Sequence, residues 1–176
     1  MQLAVMPARL AAGKLLQPRL LMGAPRKPAP NLDVDPAHLA FVRDAMSAVV
    51  NERGTAVGSK LPLDGIRMAG KTGTAQVFRL GERGHQSNWA LRDHALFIAF
   101  APADKPRYAI GCIIEHGGFG ASAAAPIVRD SMTYLFDRQK ALEILAPLEE
   151  QWGGTLAERN ARQLAAFKSA LPATSA

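Results

Sequence analysis

The chain of 176 residues has one cysteine, no long apolar run and no block of like charge. The lone Cys112 excludes an internal disulfide, and inside an apolar run it reads as a small packed hydrophobe. No apolar stretch reaches the roughly 18 residues a membrane-crossing helix needs. The longest, Ala95–Ala101 and Tyr108–Ile114, are strand-sized. The opening MQLAVMPARLAAGKLLQPRLLMG lacks the clean apolar centre of a signal peptide, because Arg9 and Lys14 interrupt it. Leu3, Met6 and Leu10 fall instead at helical spacing. A chain that begins inside a helix without a cap is expected to be part of a longer protein. The formal charge is +6, but basic and acidic residues are interspersed, so no nucleic-acid surface is expected. With 48% hydrophobic and 20% charged residues, the chain is an ordinary globular one, long enough for a real core.

What is present divides into clear segments. A helix over 1–13 ends at Gly13, a residue suited to a left-handed cap. A short extended piece is expected at Gln17–Met22, followed by the proline-rich surface loop APRKPAPNLDVDP (24–36). Asp35-Pro36 opens a second helix to about Glu52, with Phe41, Ala45, Met46, Val49 and Val50 as its buried stripe. Thr55–Asp64 is a loop. Strands are predicted at Ile66–Phe78, Ala95–Phe100 and Tyr108–Glu115, the last two joined by the short turn PADKPR as an antiparallel hairpin. A helix at Ala123–Arg138 carries Ile127, Val128, Met132, Leu135 and Phe136 on one side. Helices before and after an antiparallel sheet define an α+β class. The organisation is a sheet-bearing segment over 1–138 and a charged helical tail over 139–176, broken at Gly153-Gly154.

The stretch DGIRMAGKTGTAQVF (64–78) admits two chemistries. Gly65–Thr72 fits G-x-x-x-x-G-K-[ST], the loop that cradles phosphate. That loop needs a buried strand before it and a helix beginning at its lysine. Here GSKLPLD precedes it, with a proline and no apolar run, and GTAQVF follows, which suits a strand better than a helix. In a strand, Lys71 and Thr72 alternate between faces, so both reach one cleft only from a twisted edge, which Gly70 and Gly73 permit.

Beyond those few residues, AGKTGTAQVF, LRDHALFIAFAP (91–102), IIEHGGFGASAAAPIVRD (113–130) and the opening QLAVMPARLAAGKLLQPRL (2–20) together resemble the penicillin-binding proteins. The likeness is greatest to the elongation-type class B members, the penicillin-binding protein 2 type, and runs in order over about 2–138. It implies the α+β fold of the penicillin-binding protein and serine β-lactamase transpeptidases. Enzymes of this kind cross-link peptidoglycan: a serine attacks a D-Ala-D-Ala stem peptide, and β-lactams acylate the same serine.

Family members carry S-x-x-K, [SY]-x-N and K-[ST]-G motifs. The resemblance implies that Lys71 supplies positive charge and supports proton movement, and that Thr72 and Thr74 hydrogen-bond the substrate carboxylate around Gly73. It also gives the Thr74 amide a place in the oxyanion hole. Lys71 and Thr74 are thus the implied catalytic residues, and Lys71, Thr72, Gly73 and Thr74 the implied substrate-binding set. No cofactor or metal is implied. None of Ser47, Ser59, Ser87, Ser122, Ser131, Ser169 or Ser175 has lysine three residues on, and no S-x-N or Y-x-N occurs. The serine, its lysine and the middle motif are therefore expected before Met1, together with the membrane anchor. So is part of the sheet, leaving Ile98, Phe100, Ile110 and Ile113 short of cover.

The partners implied are peptidoglycan stem peptide, β-lactams and wall-elongation proteins, at the periplasmic face of the bacterial inner membrane. No nucleic acid is among them. The alternatives are a non-catalytic binding module of the wall-synthesis machinery and a phosphate-loop protein using Gly65–Thr72. His85, His94, Cys112, Glu115 and His116 match no closed zinc spacing. Arg92-Asp93-His94 reads as either a charged strand end or a segment that shapes the cleft. Gly117, Gly118 and Gly120 read as the turn into the last helix.

Overall fold

The computed structural model describes residues 1–23, 28–77 and 89–170. Helix α1 (Gln2–Ala12) stops where Gly13 turns left-handed at φ 66 and its N–H bonds the Arg9 carbonyl, a conformation that a side chain would strain. Helix α2 (Pro36–Asn51) starts as its sequence dictates. The Asp35 carboxylate accepts from the Ala37 N–H, and Pro36 sits in the first turn, where a missing N–H costs nothing. Strands β1 (Ala69–Ala75), β2 (His94–Ala101) and β3 (Tyr108–Ile114) form an antiparallel sheet of order β1-β2-β3. A π-helical turn, Gly120–Ala124, leads into α3 (Ala125–Phe136), and α4 (Arg138–Gln151) and α5 (Leu156–Ala170) follow. The chain divides into two units, Met1–Phe136 and Asp137–Ala176.

The first unit buries both faces of its central strand. Phe97, opposite Thr72 and Cys112, joins Ala95, Ala99 and Ala101 against Val128 and Met132 of α3 and against Val50, Ala56 and Leu61. Ile98, opposite Lys71 and Gly111, joins Phe100 and Ala69 against Ala11 of α1 and Met46 of α2. Phe97 and Phe100 are fully buried, each contributing about 1.5–3 kcal/mol by leaving water. Small residues make the layers fit: a Cβ on Gly111 would lie 2.9 Å from the Leu3 backbone carbon of α1.

The observed elements differ from the predicted ones where side-chain patterning outran contact. The first strand is Ala69–Ala75 rather than Ile66–Phe78, because pairing with β2 begins only at Ala69 opposite Phe100 and ends at Ala75 opposite His94; Phe78 lies outside the described residues. Among the described residues the piece at Gln17–Met22 joins no sheet, and nearby Lys14 and Asn31 form an isolated bridge. Phe41 is 74% exposed and Ala45 is exposed too, while Met46 and Val50 are buried. The C-terminal half of α2 faces β1, whereas its earlier turns meet α1, where Arg43 Nε donates to the Leu10 carbonyl at 2.7 Å. Likewise Ile127 and Leu135 point off the narrow face of α3 that Ala125, Val128 and Met132 bury. Of the residues expected to lack cover, Ile98 and Phe100 are buried by α1 and α2, and Ile113 alone is more than half exposed.

The second unit is built by local rules. Asp137 Oδ1 accepts from the Lys140 N–H at 2.9 Å to cap α4. Gly153 and Gly154 reverse the chain at φ 83 and 109. Thr155 and Glu158 then cap α5 reciprocally: the Glu158 N–H donates to Thr155 Oγ1 and the Thr155 N–H to Glu158 Oε2. The Thr155 N–H, and after it the Thr155 hydroxyl at 3.0 Å, donate to the Glu158 carboxylate and hold that carboxyl below its ordinary value of 4.5. No residue of α4 or α5 is buried.

Candidate active site

Lys71, Thr72, Gly73 and Thr74 lie consecutively on β1, an edge strand of the sheet. No helix begins at Lys71, so Gly65–Thr72 runs from a turn straight into a strand and does not form a phosphate loop. Cross-strand pairing sets the alternation: Lys71 is opposite Ile98, Thr72 opposite Phe97 and Thr74 opposite Ala95. Lys71 and Thr72 therefore leave the strand on opposite faces. The lysine nevertheless folds back along the open edge. Its Nζ donates to the Thr72 carbonyl at 3.0 Å and lies 3.5 Å from Thr72 Oγ1. Lys71 and Thr74 are exposed, and Thr72 is half-buried. The result is a cation and two hydroxyls along one accessible strand edge, a donor set suited to an anion.

Two supports hold this strand. At its start, Asn51 at the end of α2 donates from Nδ2 to the Met68 carbonyl at 2.8 Å, just before β1 begins. Within the motif, the β3–α3 turn lies against the backbone, so a side chain at Gly120 would run into the carbonyls of Leu96 and Gly73. Gly120 is thus fixed by close approach rather than by a turn alone.

Arg92-Asp93-His94 links β1 to the β3–α3 turn. The Asp93 carboxylate accepts from the Val77 N–H at 3.3 Å, and the Asp93 carbonyl from Gly118 N–H at 2.8 Å. His94 Nδ1 accepts from the His116 N–H at 2.9 Å, while His116 Nδ1 is 3.1 Å from the Arg92 carbonyl. The two imidazole rings are 4.8 Å apart, and the Trp89 ring packs at a tilt of 54° against His116, 4.4 Å between centroids. The turn after β3 is made by Glu115 and His116 rather than by the glycines: His116 is at φ 54 and the Gly117 N–H closes it on the Ile114 carbonyl at 3.1 Å, with Gly118 at φ 79 following.

Among the described residues no three His, Cys, Asp or Glu side chains are grouped to hold a metal ion. His85 lies outside them. Partial burial pushes the Cys112 thiol up, which disfavours its thiolate. Sequence reasoning missed Thr55, whose Oγ1 sits 3.0 Å from Thr72 Oγ1. A Gly-Thr pair in a loop carries no signal for that contact.

Fold and site together define a class: an α+β domain that presents a Lys-Thr-Gly-Thr edge strand, steadied from behind by a helix and a glycine turn. The chain belongs to the penicillin binding protein transpeptidase domain family, which matches residues 1–133. It is 34% identical over 149 residues to the peptidoglycan D,D-transpeptidase MrdA of Salmonella typhimurium, covering 76% of this chain and 24% of the relative. A shorter match to the MrdA of Acinetobacter baumannii reaches 46% over 87 residues, 47% of this chain and 12% of the relative. Among solved structures, PBP2 of Pseudomonas aeruginosa in complex with WCK 5153 aligns at TM-score 0.61 and 34% identity, covering 80% of this chain and 30% of that one. PBP2 of Helicobacter pylori in complex with MreC aligns at TM-score 0.63 and 28% identity, covering 77% and 24%. The chain thus spans about a quarter of the length of the Salmonella relative.

Proposed function

We propose that this chain supplies the carboxylate-holding strand of a peptidoglycan D,D-transpeptidase, an enzyme that cross-links the wall during elongation. The observation that carries the reading is the placement of Lys71, Thr72 and Thr74 along an open sheet edge inside a family-matched unit. In this reading Lys71 attracts the terminal carboxylate of the stem peptide or β-lactam, and the Thr72 and Thr74 hydroxyls hold it by charge-assisted bonds. The Thr74 amide stabilises the oxyanion formed when a serine attacks, an effect of about 3 kcal/mol for one donor. That serine comes from an S-x-x-K motif that these 176 residues do not contain. The partners in this reading are stem peptide, β-lactams and wall-elongation proteins of the kind with which the Helicobacter relative was solved. The place of action is outside the cytoplasm, at the periplasmic face of the inner membrane. No helix among the described residues is long and apolar enough to cross that membrane.

The test has two arms with a fluorescent penicillin. The 176-residue chain alone is expected to give no label that survives denaturation, because it lacks the activated nucleophile. A chimera in which residues 1–133 replace the matching segment of the Salmonella relative is expected to be labelled. Lys71→Ala is expected to slow that labelling at least about a hundredfold, the range seen on losing one such stabilising group. A folded chimera that takes no label overturns the reading.

A further inference from the structure

We infer that Thr55 is a positioning residue for this site, one that commits the Thr72 hydroxyl to donate to a bound carboxylate. The inference rests on the reading of β1 just given and goes one residue beyond it.

Thr55 is held firmly where it is. Helix α2 ends at Asn51, which is tied to Met68 at the start of β1. The turn that follows folds back on the helix, and the Ala56 N–H donates to the Val49 carbonyl at 3.1 Å. Gly54 presses on the Val49 backbone with no room for a side chain. Ala56, on the other side, is 2% exposed and part of the core. Between these two fixed neighbours, Thr55 places its hydroxyl 3.0 Å from Thr72 Oγ1.

A hydroxyl has one proton to give and two lone pairs that accept. Lys71 Nζ, which can only donate, lies 3.5 Å from Thr72 Oγ1 and fills one lone pair at long range. The Thr55–Thr72 contact then has two senses. If Thr72 donates to Thr55, its only proton is used inside the protein and it offers a carboxylate nothing but lone-pair repulsion. If Thr55 donates to Thr72, both lone pairs are filled and the Thr72 proton is free to point outward. A carboxylate accepts and never donates when ionised, so its arrival selects the second sense. The chain Thr55 to Thr72 to carboxylate then runs in one direction, each bond polarising the next. Thr55 touches neither the carboxylate nor the reacting atoms and acts through Thr72 alone.

The test compares Thr55→Val, which keeps the shape and removes the hydroxyl, with Thr55→Ser, which keeps the hydroxyl. Both are made in the chimera with the Salmonella relative and read as fluorescent-penicillin acylation, separated into the binding constant and the acylation rate constant. Thr55→Val is expected to weaken binding about fivefold, the size of one ordinary hydrogen bond. Its acylation rate constant changes less than about twofold, and Thr55→Ser restores binding. Equal binding by Thr55→Val and the unsubstituted chimera overturns the inference. So does an equal loss in Thr55→Ser, which assigns the effect to packing. A second readout needs no serine: N-acetyl-D-alanine is titrated into the 176-residue chain while the amide resonances of Thr72–Ala75 are followed. Thr55→Val is expected to need about fivefold more ligand for the same shift, and an unchanged titration overturns the inference independently. A folded chimera that takes no label removes the transpeptidase reading of β1, and the role of Thr55 falls with it. A labelled chimera indifferent to Thr55→Val leaves that reading standing and removes only the role of Thr55.

Discussion

Residues 1–136 and 137–170 contain helices of similar length, yet the two regions are held by different forces. In the first, α1, α2 and α3 each bury at least one residue against a sheet whose central strand is covered on both faces. In the second, neither α4 nor α5 buries any, and Leu164 and Phe167 are more than half exposed. The family match covers residues 1–133 and stops where this change occurs. Burial costs a region its freedom to vary, because an interior packed like a crystal registers the loss of a single methylene. Helices held by caps and propensity meet no such constraint.

The sharpest way to break this contrast is to remove one phenylalanine from each region. Phe97→Ala is expected to cost about 3–5 kcal/mol in denaturant-induced unfolding, a large part of a domain's stability of about 5–15 kcal/mol. Phe167→Ala, 64% exposed, is expected to stay within about 0.5 kcal/mol. Comparable losses at the two positions would mean that α5 shares a core.

A smaller effect is expected at Gly120, where a methyl group meets the carbonyls of Leu96 and Gly73. Gly120→Ala is expected to destabilise by about 1–3 kcal/mol, the usual result of overpacking. It should also slow penicillin labelling of the chimera, because the displaced backbone is that of the motif. Full stability with normal labelling would show that the β3–α3 turn does not support β1.

Brief trypsin treatment sharpens the comparison without substitution. Among cleavage sites in the helices, Lys140, Arg159, Arg162 and Lys168 of the second region are expected to be cut before Arg43 and Arg129 of the first, as mass spectrometry would record. Segments with few buried contacts open most readily. Simultaneous loss of both sets would indicate one cooperative unit.

The smallest effect concerns the start of α5. Thr155→Ala removes a reciprocal cap and is expected to cost that helix about 1 kcal/mol, seen as reduced helical circular dichroism. Acid should weaken the same cap. The Glu158 carboxyl is held below 4.5 chiefly by the Thr155 N–H, so its stabilising contribution is complete above that value. It is lost as pH falls through the depressed value in the folded helix. Helicity that survives acid unchanged would remove this cap from the account.

Much of the molecule was legible in the sequence because it depends on neighbours a few residues away. Asp35-Pro36 and Gly13 mark helix ends by hydrogen-bonding rules that need no tertiary partner. The hairpin of β2 and β3 follows from two apolar runs joined by a short turn. Glycine after Lys71-Thr72, followed by β-formers, already excluded a helix there. Which apolar residues are buried was less legible: Phe41 looked like core and is exposed, because period alone does not reveal where a helix leaves the sheet.

The sequence by itself determined the α+β class, the helix caps and the strand nature of the Lys-Thr-Gly-Thr stretch, since each is fixed by backbone geometry and side-chain period. Tertiary structure alone decided that β1 lies at the sheet edge, that Gly120 packs on Gly73 and that Thr55 meets Thr72 at a sequence separation of 17. Contacts of that kind depend on how layers stack and where a turn lands. No local pattern encodes them, because the free energy that selects them comes from burying side chains such as Phe97 and Val50 against residues far away in the chain.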